Sequence, residues 1–233
     1  MKDKILVVVA HPDDESLGAG GTIMKLVDAG NEVAVMVMVS MARARAVRPD
    51  DRTMLNDQEL AMGILGVKKL YNTDFPNNEL NTIPQLHLVQ EIEKRIAEFS
   101  PDVIITHHMN DLNNDHYIVS EACQVASRMP LRTQEHKPVR EIWSMEVLSS
   151  SEWSMQEPRF SPNLYIPVDE VLLERKFKAV DAYYGVTRKW PHPRNRKTIE
   201  ALAVVMGAEC GCRYAEAFEI LYQVQGGSEW EKL

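Results

Sequence analysis

The sequence predicts an α/β protein with a mostly parallel sheet and helices on both of its faces. Three observations predict it. Apolar runs rich in β-branched residues stand at 4–9, 33–39 and 103–105, unalternating, as in strands buried on both faces. Segments with helical spacing lie between them, so strands and helices alternate along the chain. The 233 residues, 45% hydrophobic and 26% charged, suit one globular domain, and no linker or repeat divides residues 1–233.

The first run, 4–9, is a strand that ends abruptly in His11-Pro12-Asp13-Asp14-Glu15. Residues 17–27 then read as a helix, whose early Gly18, Gly20 and Gly21 allow close packing on the sheet or approach of a ligand. Gly30-Asn31 stops that helix, and 33–39 is a second strand, which makes a strand–helix–strand unit with a parallel pair. Residues 41–51 are basic and irregular, and they leave the same sheet edge as the His-Pro-Asp-Asp loop. A helix over 52–65 stops at Gly66, and 69–71 is a marginal strand. The plainest amphipathic helix spans 84–99, with Leu86, Val89, Ile92, Ile96 and Phe99 on one stripe. The strand at 103–105 empties into the polar stretch 106–116, and a helix follows over about 117–128. After a polar loop over 127–139, residues 141–148 suit another strand; 149–168 reads as irregular. Asp169 opens a helix, and 198–206 is a further one.

Composition excludes several classes. A net charge of −8 disfavours nucleic acid and anionic membrane surfaces as partners. Cys123, Cys210 and Cys212 are too few and too unevenly placed for a disulfide framework, so reduced thiols and a cytoplasmic location are expected. No apolar run approaches membrane-spanning length, and the first residues do not read as a signal peptide.

Chemistry concentrates in the loops that leave the strands. A hydrolytic zinc site takes about three nitrogen or oxygen ligands and keeps one position open. His11 and Asp14 form a close pair, with Pro12 holding the loop extended, and His116 is the natural third ligand from another strand end. Asp115 or a backbone carbonyl would fix a ligating imidazole. Asp13, beside the ligands but not needed as one, is suited to general-base work. The competing reading is that Asp13, Asp14 and Glu15 merely complement a helix N-terminus.

The segments AHPDDESLGAGGT (10–22), THHMNDLNNDH (106–116), PHPRN (191–195) and AEAFE (215–219) resemble the PIG-L/LmbE-like zinc N-deacetylases, over most of the chain. The resemblance implies a Rossmann-like fold, His11, Asp14 and His116 as zinc ligands, Asp13 as general base, and removal of an acetyl group from an amino sugar. It also implies a small-molecule amino-sugar substrate and frequent homo-oligomers. Asn113 departs from the pattern, because some members carry a histidine three residues before the last ligand. His192, held between prolines, is the expected replacement for oxyanion stabilisation or amine protonation, the segment from about 149 completing the site. A surface-loop histidine is the plain alternative. Of His107 and His108, one supports the ligands and one is structural; His107 is the supporting choice. Arg43 and Arg194 are candidate substrate contacts, since an Arg fork suits hydroxyls, carboxylates or phosphates. Trp153 and Trp190 can stack on a sugar or pack on the rim. Gly18-Ala19-Gly20-Gly21 lacks the full dinucleotide fingerprint. Other divalent transition metals suit the same donor set. The rival functions are hydrolysis of another small amide or ester, and a sugar- or nucleotide-binding module without catalysis.

Overall fold

The computed structural model describes residues 2–44 and 48–225, so part of the basic segment 41–51 lies outside the described residues. The elements run β1 (Lys4–Val9), α1 (Asp14–Asp28), β2 (Glu32–Val37), α2 (Asp51–Leu65), β3 (Lys69–Asn72), α3 (Gln85–Phe99), β4 (Val103–His107) and α4 (Asn114–Ala126). Then come α5 (Met129–Thr133), β5 (Glu141–Met145), β6 (Leu164–Val168), α6 (Glu170–Asp181), α7 (Arg196–Cys210) and β7 (Tyr214–Gln223). All seven strands form one sheet in the order β3-β2-β1-β4-β5-β7-β6. The first five are parallel, and β7 joins β5 and β6 antiparallel.

Strand β1 shows why an unbroken apolar run belongs here. Ile5, Val7 and Val9 enter the core beneath α1, α2, α6 and α7, whereas Leu6 and Val8 enter the core beneath α3 and α4. Alternate side chains thus feed opposite faces, both covered by helices, and every position must be apolar. The early glycines of α1 serve packing. A Cβ on Gly18 would stand 2.6 Å from Met145 Sδ and 3.1 Å from the Glu146 carbonyl at the end of β5. Further along α1, the buried Glu216 of β7 accepts the Gly21 and Thr22 amides at 2.9 and 2.7 Å and pairs with Lys176 of α6 at 2.6 Å.

Four expectations change. Helix α1 begins at Asp14 rather than 17, so Asp14 and Glu15 lie in its first turn. Helix α4 begins at Asn114, because Asn113 caps it by accepting the Asp115 amide at 2.9 Å; His116 therefore stands on a helix, not in the loop. The polar stretch 127–139 contains the short α5, whose start carries Pro130 where proline suits a helix. Finally, β6 and β7 occupy segments read as irregular or left unassigned. No helix among the described residues is long and apolar enough to cross a membrane.

Candidate active site

The order of the sheet reverses between β1 and β4, and open α/β sheets bind ligands outside the carboxyl ends of the strands at such a point. The end of β1 delivers His11 and Asp13, the first turn of α1 delivers Asp14, and the first turn of α4 delivers His116. All four side chains are buried.

Asp14 lies at the centre. Its Oδ2 is 3.4 Å from His11 Nδ1 and 3.2 Å from His116 Nε2, and those two ring nitrogens are 3.3 Å apart. One donor atom from each residue falls within 4.8 Å of the others, a group that can hold a metal ion. The far nitrogens face carboxylates: His11 Nε2 is 2.9 Å from Asp115 Oδ2, and His116 Nδ1 is within ion-pair distance of Asp111 Oδ2, at 3.2 Å, without a well-aligned hydrogen bond. Asp14 Oδ1 is buried without a hydrogen-bond partner, a cost that a bound cation relieves. Two imidazoles oriented by carboxylates plus one carboxylate is a donor set that fits a divalent transition metal.

Charge follows the same geometry. Burial works against ionisation of Asp14, but His116 and His11 outweigh it and hold that carboxyl well below its ordinary range. Burial likewise opposes a charged His116, yet Asp14 and Asp111 push the imidazole up to about 10. His11 is raised in the same sense, with Asp115 and Asp14 overcoming burial. Asp111 is held at about 2, against burial, by His116 and by Ser150 and Ser151.

Asp13 is not used as a helix cap; its side chain makes no capping bond. Its backbone sits in the left-handed region at φ 108°, which costs a non-glycine residue about 1–3 kcal/mol. Two contacts hold it there. Arg194 Nη1 donates to Asp13 Oδ2 at 3.1 Å, and the Asp13 amide donates to Glu15 Oε2 at 3.2 Å. Glu15 in turn accepts from the Tyr183 hydroxyl at 2.8 Å and from Ser16 Oγ at 2.6 Å, and burial pushes its carboxyl up to about 7.

His107 supports His116 by stacking, with ring centroids 3.9 Å apart, while its Nε2 accepts the Ala10 amide at 2.8 Å. Burial and the neighbouring His116 bring His107 down to about 3, so it stays neutral. His108 turns away, its Nε2 3.3 Å from Glu219. Asp115 also accepts the Asn78 and Leu80 amides, which draws the turn after β3 onto the site. His192 is half-buried. Its Nδ1 accepts the Arg194 amide at 3.0 Å, and burial and Arg194 lower its pKa, so its surroundings favour the neutral ring over the imidazolium.

A cleft of about 160 Å³ opens over these groups, lined by His11, Asp13, Asn77, Asn78, Asn113 and Arg194. A neighbouring cleft of about 340 Å³ shares Asn77 and is bordered by Arg43, Asp74 and Phe75. Arg43 Nη1 donates to both carboxylate oxygens of Asp74, at 2.9 and 3.0 Å. Trp153 and Trp190 are mostly exposed.

Fold and site together define an α/β enzyme with a potential His-Asp-His metal centre at the switch point of its sheet. The family model described as PIG-L, GlcNAc-PI de-N-acetylase, matches residues 6–127, and the chain belongs to that family of amide hydrolases. It is 31% identical, over 80% of its length and 85% of the relative's, to the probable N-acetyl-alpha-D-glucosaminyl L-malate deacetylase 2 of Bacillus cereus. Among solved structures it is similar to the N,N'-diacetylchitobiose deacetylase of Pyrococcus horikoshii, with a TM-score of 0.74 at 22% identity, covering 94% of this chain and 84% of that one. It is also similar to GalB, the 4-carboxy-2-hydroxymuconate hydratase of Pseudomonas putida, with a TM-score of 0.78 at 16% identity, covering 97% and 99%. At those identities the structural likeness speaks for the fold alone, and one fold serves a hydratase as well as deacetylases.

Proposed function

We propose that this protein removes the N-acetyl group from an amino sugar or amino-sugar conjugate of the N-acetylglucosamine type. The observation that carries the reading is the buried His11, Asp14 and His116 cluster with its orphaned Asp14 oxygen and with Asp13 alongside. The 31% identity to the probable N-acetyl-alpha-D-glucosaminyl L-malate deacetylase 2 of Bacillus cereus supports the substrate class.

In this reading His11, Asp14 and His116 hold zinc or another divalent transition metal. When bound there, the ion supplies Lewis-acid polarisation of the amide carbonyl and acidification of the attacking water. The remaining work belongs to the chain. Asp13 takes the proton of the attacking water as general base and returns it to the departing amine. Arg194 holds the Asp13 carboxylate in place and closes the cleft from the C-terminal side. His192, with Nδ1 already accepting a hydrogen bond, carries its hydrogen on Nε2, and we assign that N–H as a hydrogen-bond donor to the developing oxyanion. The adjoining cleft bordered by Arg43 is the place for the aglycone. The segment from about 149 completes the site, and three free thiols support a cytoplasmic location.

The test is amine release from a panel of N-acetylhexosamine derivatives, free, glycosidic and nucleotide-linked, with and without chelator. Release that stops with chelator and returns with zinc is expected. Zinc-loaded protein that frees no amine from any panel member, while hydrolysing simple esters or other amides, would overturn the amino-sugar assignment.

A further inference from the structure

The last turn of α7 ends in Cys210-Gly211-Cys212, and the two sulfurs stand 3.0 Å apart. Cys210 is exposed and Cys212 half-buried. The turn that brings them together is built for it. Gly211 takes φ 78°, and the Cys212 amide donates to the Gly207 carbonyl at 2.8 Å. At Gly207 a Cβ would stand 2.7 Å from the Cys212 carbonyl oxygen, so the bare glycine lets the cysteine turn lie directly on the helix. Neither thiol takes part in the site above. The third cysteine, Cys123, is buried in the core, and burial pushes its thiol up to about 12, which leaves it inert.

We propose that Cys210 and Cys212 form a thiol–disulfide exchange site that reacts with low-molecular-weight disulfides and closes to an intramolecular disulfide. Cys210 attacks first because it is the more exposed of the two, and the hydrogen bond shared by the two sulfurs holds the Cys212 thiol above its usual range. Cys210 loses its proton to water, and its thiolate attacks one sulfur of the small disulfide. A Cys210 mixed disulfide forms and one small thiolate leaves. Cys212, deprotonated in turn, attacks the Cys210 sulfur and expels the second thiolate. The protein dithiol is oxidised by two electrons, and the small disulfide is reduced to two thiols. A ring that spans one intervening residue removes little chain entropy, so the bond is not a structural staple. Exposed disulfides of this kind are the labile ones.

The experiment incubates the reduced full-length protein with oxidised glutathione and follows intact mass, alkylation sites and released glutathione. The wild type is expected to become lighter by two hydrogens, keep no glutathione, lose alkylation at Cys210 and Cys212 but not at Cys123 once unfolded, and recover with dithiothreitol. Cys212→Ser is expected to stop at a stable glutathione adduct on Cys210, releasing half as much glutathione per chain. A wild type that retains glutathione on either cysteine, or whose two thiols stay open to alkylation, overturns the proposal.

Discussion

In the proposed mechanism the adjacent carboxylates Asp13 and Asp14 have opposite duties, and their partners separate them. Asp14 faces two imidazoles, whereas Asp13 faces a guanidinium from 181 residues away. Asp13→Asn should therefore keep the metal and lower kcat by about 10²–10⁴-fold, the usual worth of a positioned general base; a near-native rate in zinc-loaded protein would remove Asp13 from that role. His116→Ala should lose the metal itself, read as metal content after dialysis. Asp111→Ala acts one step out: with His116 Nδ1 no longer held, metal affinity should weaken by about 10–100-fold in competition with a chromogenic chelator. Affinity unchanged in that variant would mean that Asp111 does not orient the ring. That His11, Asp14 and His116 would come together, with Asp115 against His11, was legible from their spacing and strand context. Asp111 was not, since a loop residue five positions before a ligand follows no period. Tyr183 holding Glu15 was equally hidden, because only tertiary packing joins residues 168 positions apart.

At the level of the element, each strand has a working end and a structural end. Asp102, just before β4, serves the second. Its Oδ2 accepts the Lys4 amide at 3.0 Å, its carbonyl accepts the Arg140 and Glu141 amides, and its Oδ1 meets Lys137 and Arg140, so it ties β1, β4 and β5 at their amino ends. Burial opposes its charge, but Lys137 and the Lys4 amide prevail, and the carboxyl lies below its ordinary 3.8. A depressed folded value means stability that is present above about pH 4 and lost as pH falls through the folded value. Asp102→Asn should thus cost on the order of 1 kcal/mol in urea unfolding at pH 7. The gap to wild type should close in strong acid, with deacetylation at neutral pH unchanged. A gap that persists at low pH would place the effect elsewhere. The buried parallel strands and amphipathic α3 were readable because burial on both faces or one stripe leaves a pattern, although Leu86, read into that stripe, is exposed and Leu88 is buried in its place. Strand β7 was not: Tyr214–Gln223 carries Ala215, Glu216, Ala217 and Glu219, poor strand formers, and it is ordered by β5 and β6 on either side. Its neighbour β6 is a short edge strand interrupted by Pro167, which an edge tolerates.

Over the whole molecule, the family match ends at residue 127, while the site does not. Arg194 reaches back to Asp13, and Glu216 grips α1 through Gly21 and Thr22. The donor residues also come from two distant parts of the chain, so a metal bound by the folded form alone should stabilise the entire domain. At a free zinc concentration of a hundred times Kd the gain is about 2.7 kcal/mol. It should appear as a rise in Tm that chelator reverses and that His116→Ala abolishes; a wild-type Tm indifferent to zinc would contradict the shared site.

The most direct measurement is a crystal structure of the zinc-loaded protein with anomalous data at the zinc edge. One ion is expected, bonded to His11 Nδ1, an Asp14 carboxylate oxygen and His116 Nε2 at about 2.0–2.2 Å, with the Asp13 carboxylate beside it and unbonded. An ion bound elsewhere, or one that takes Asp13 into its coordination in place of Asp14, would contradict that assignment.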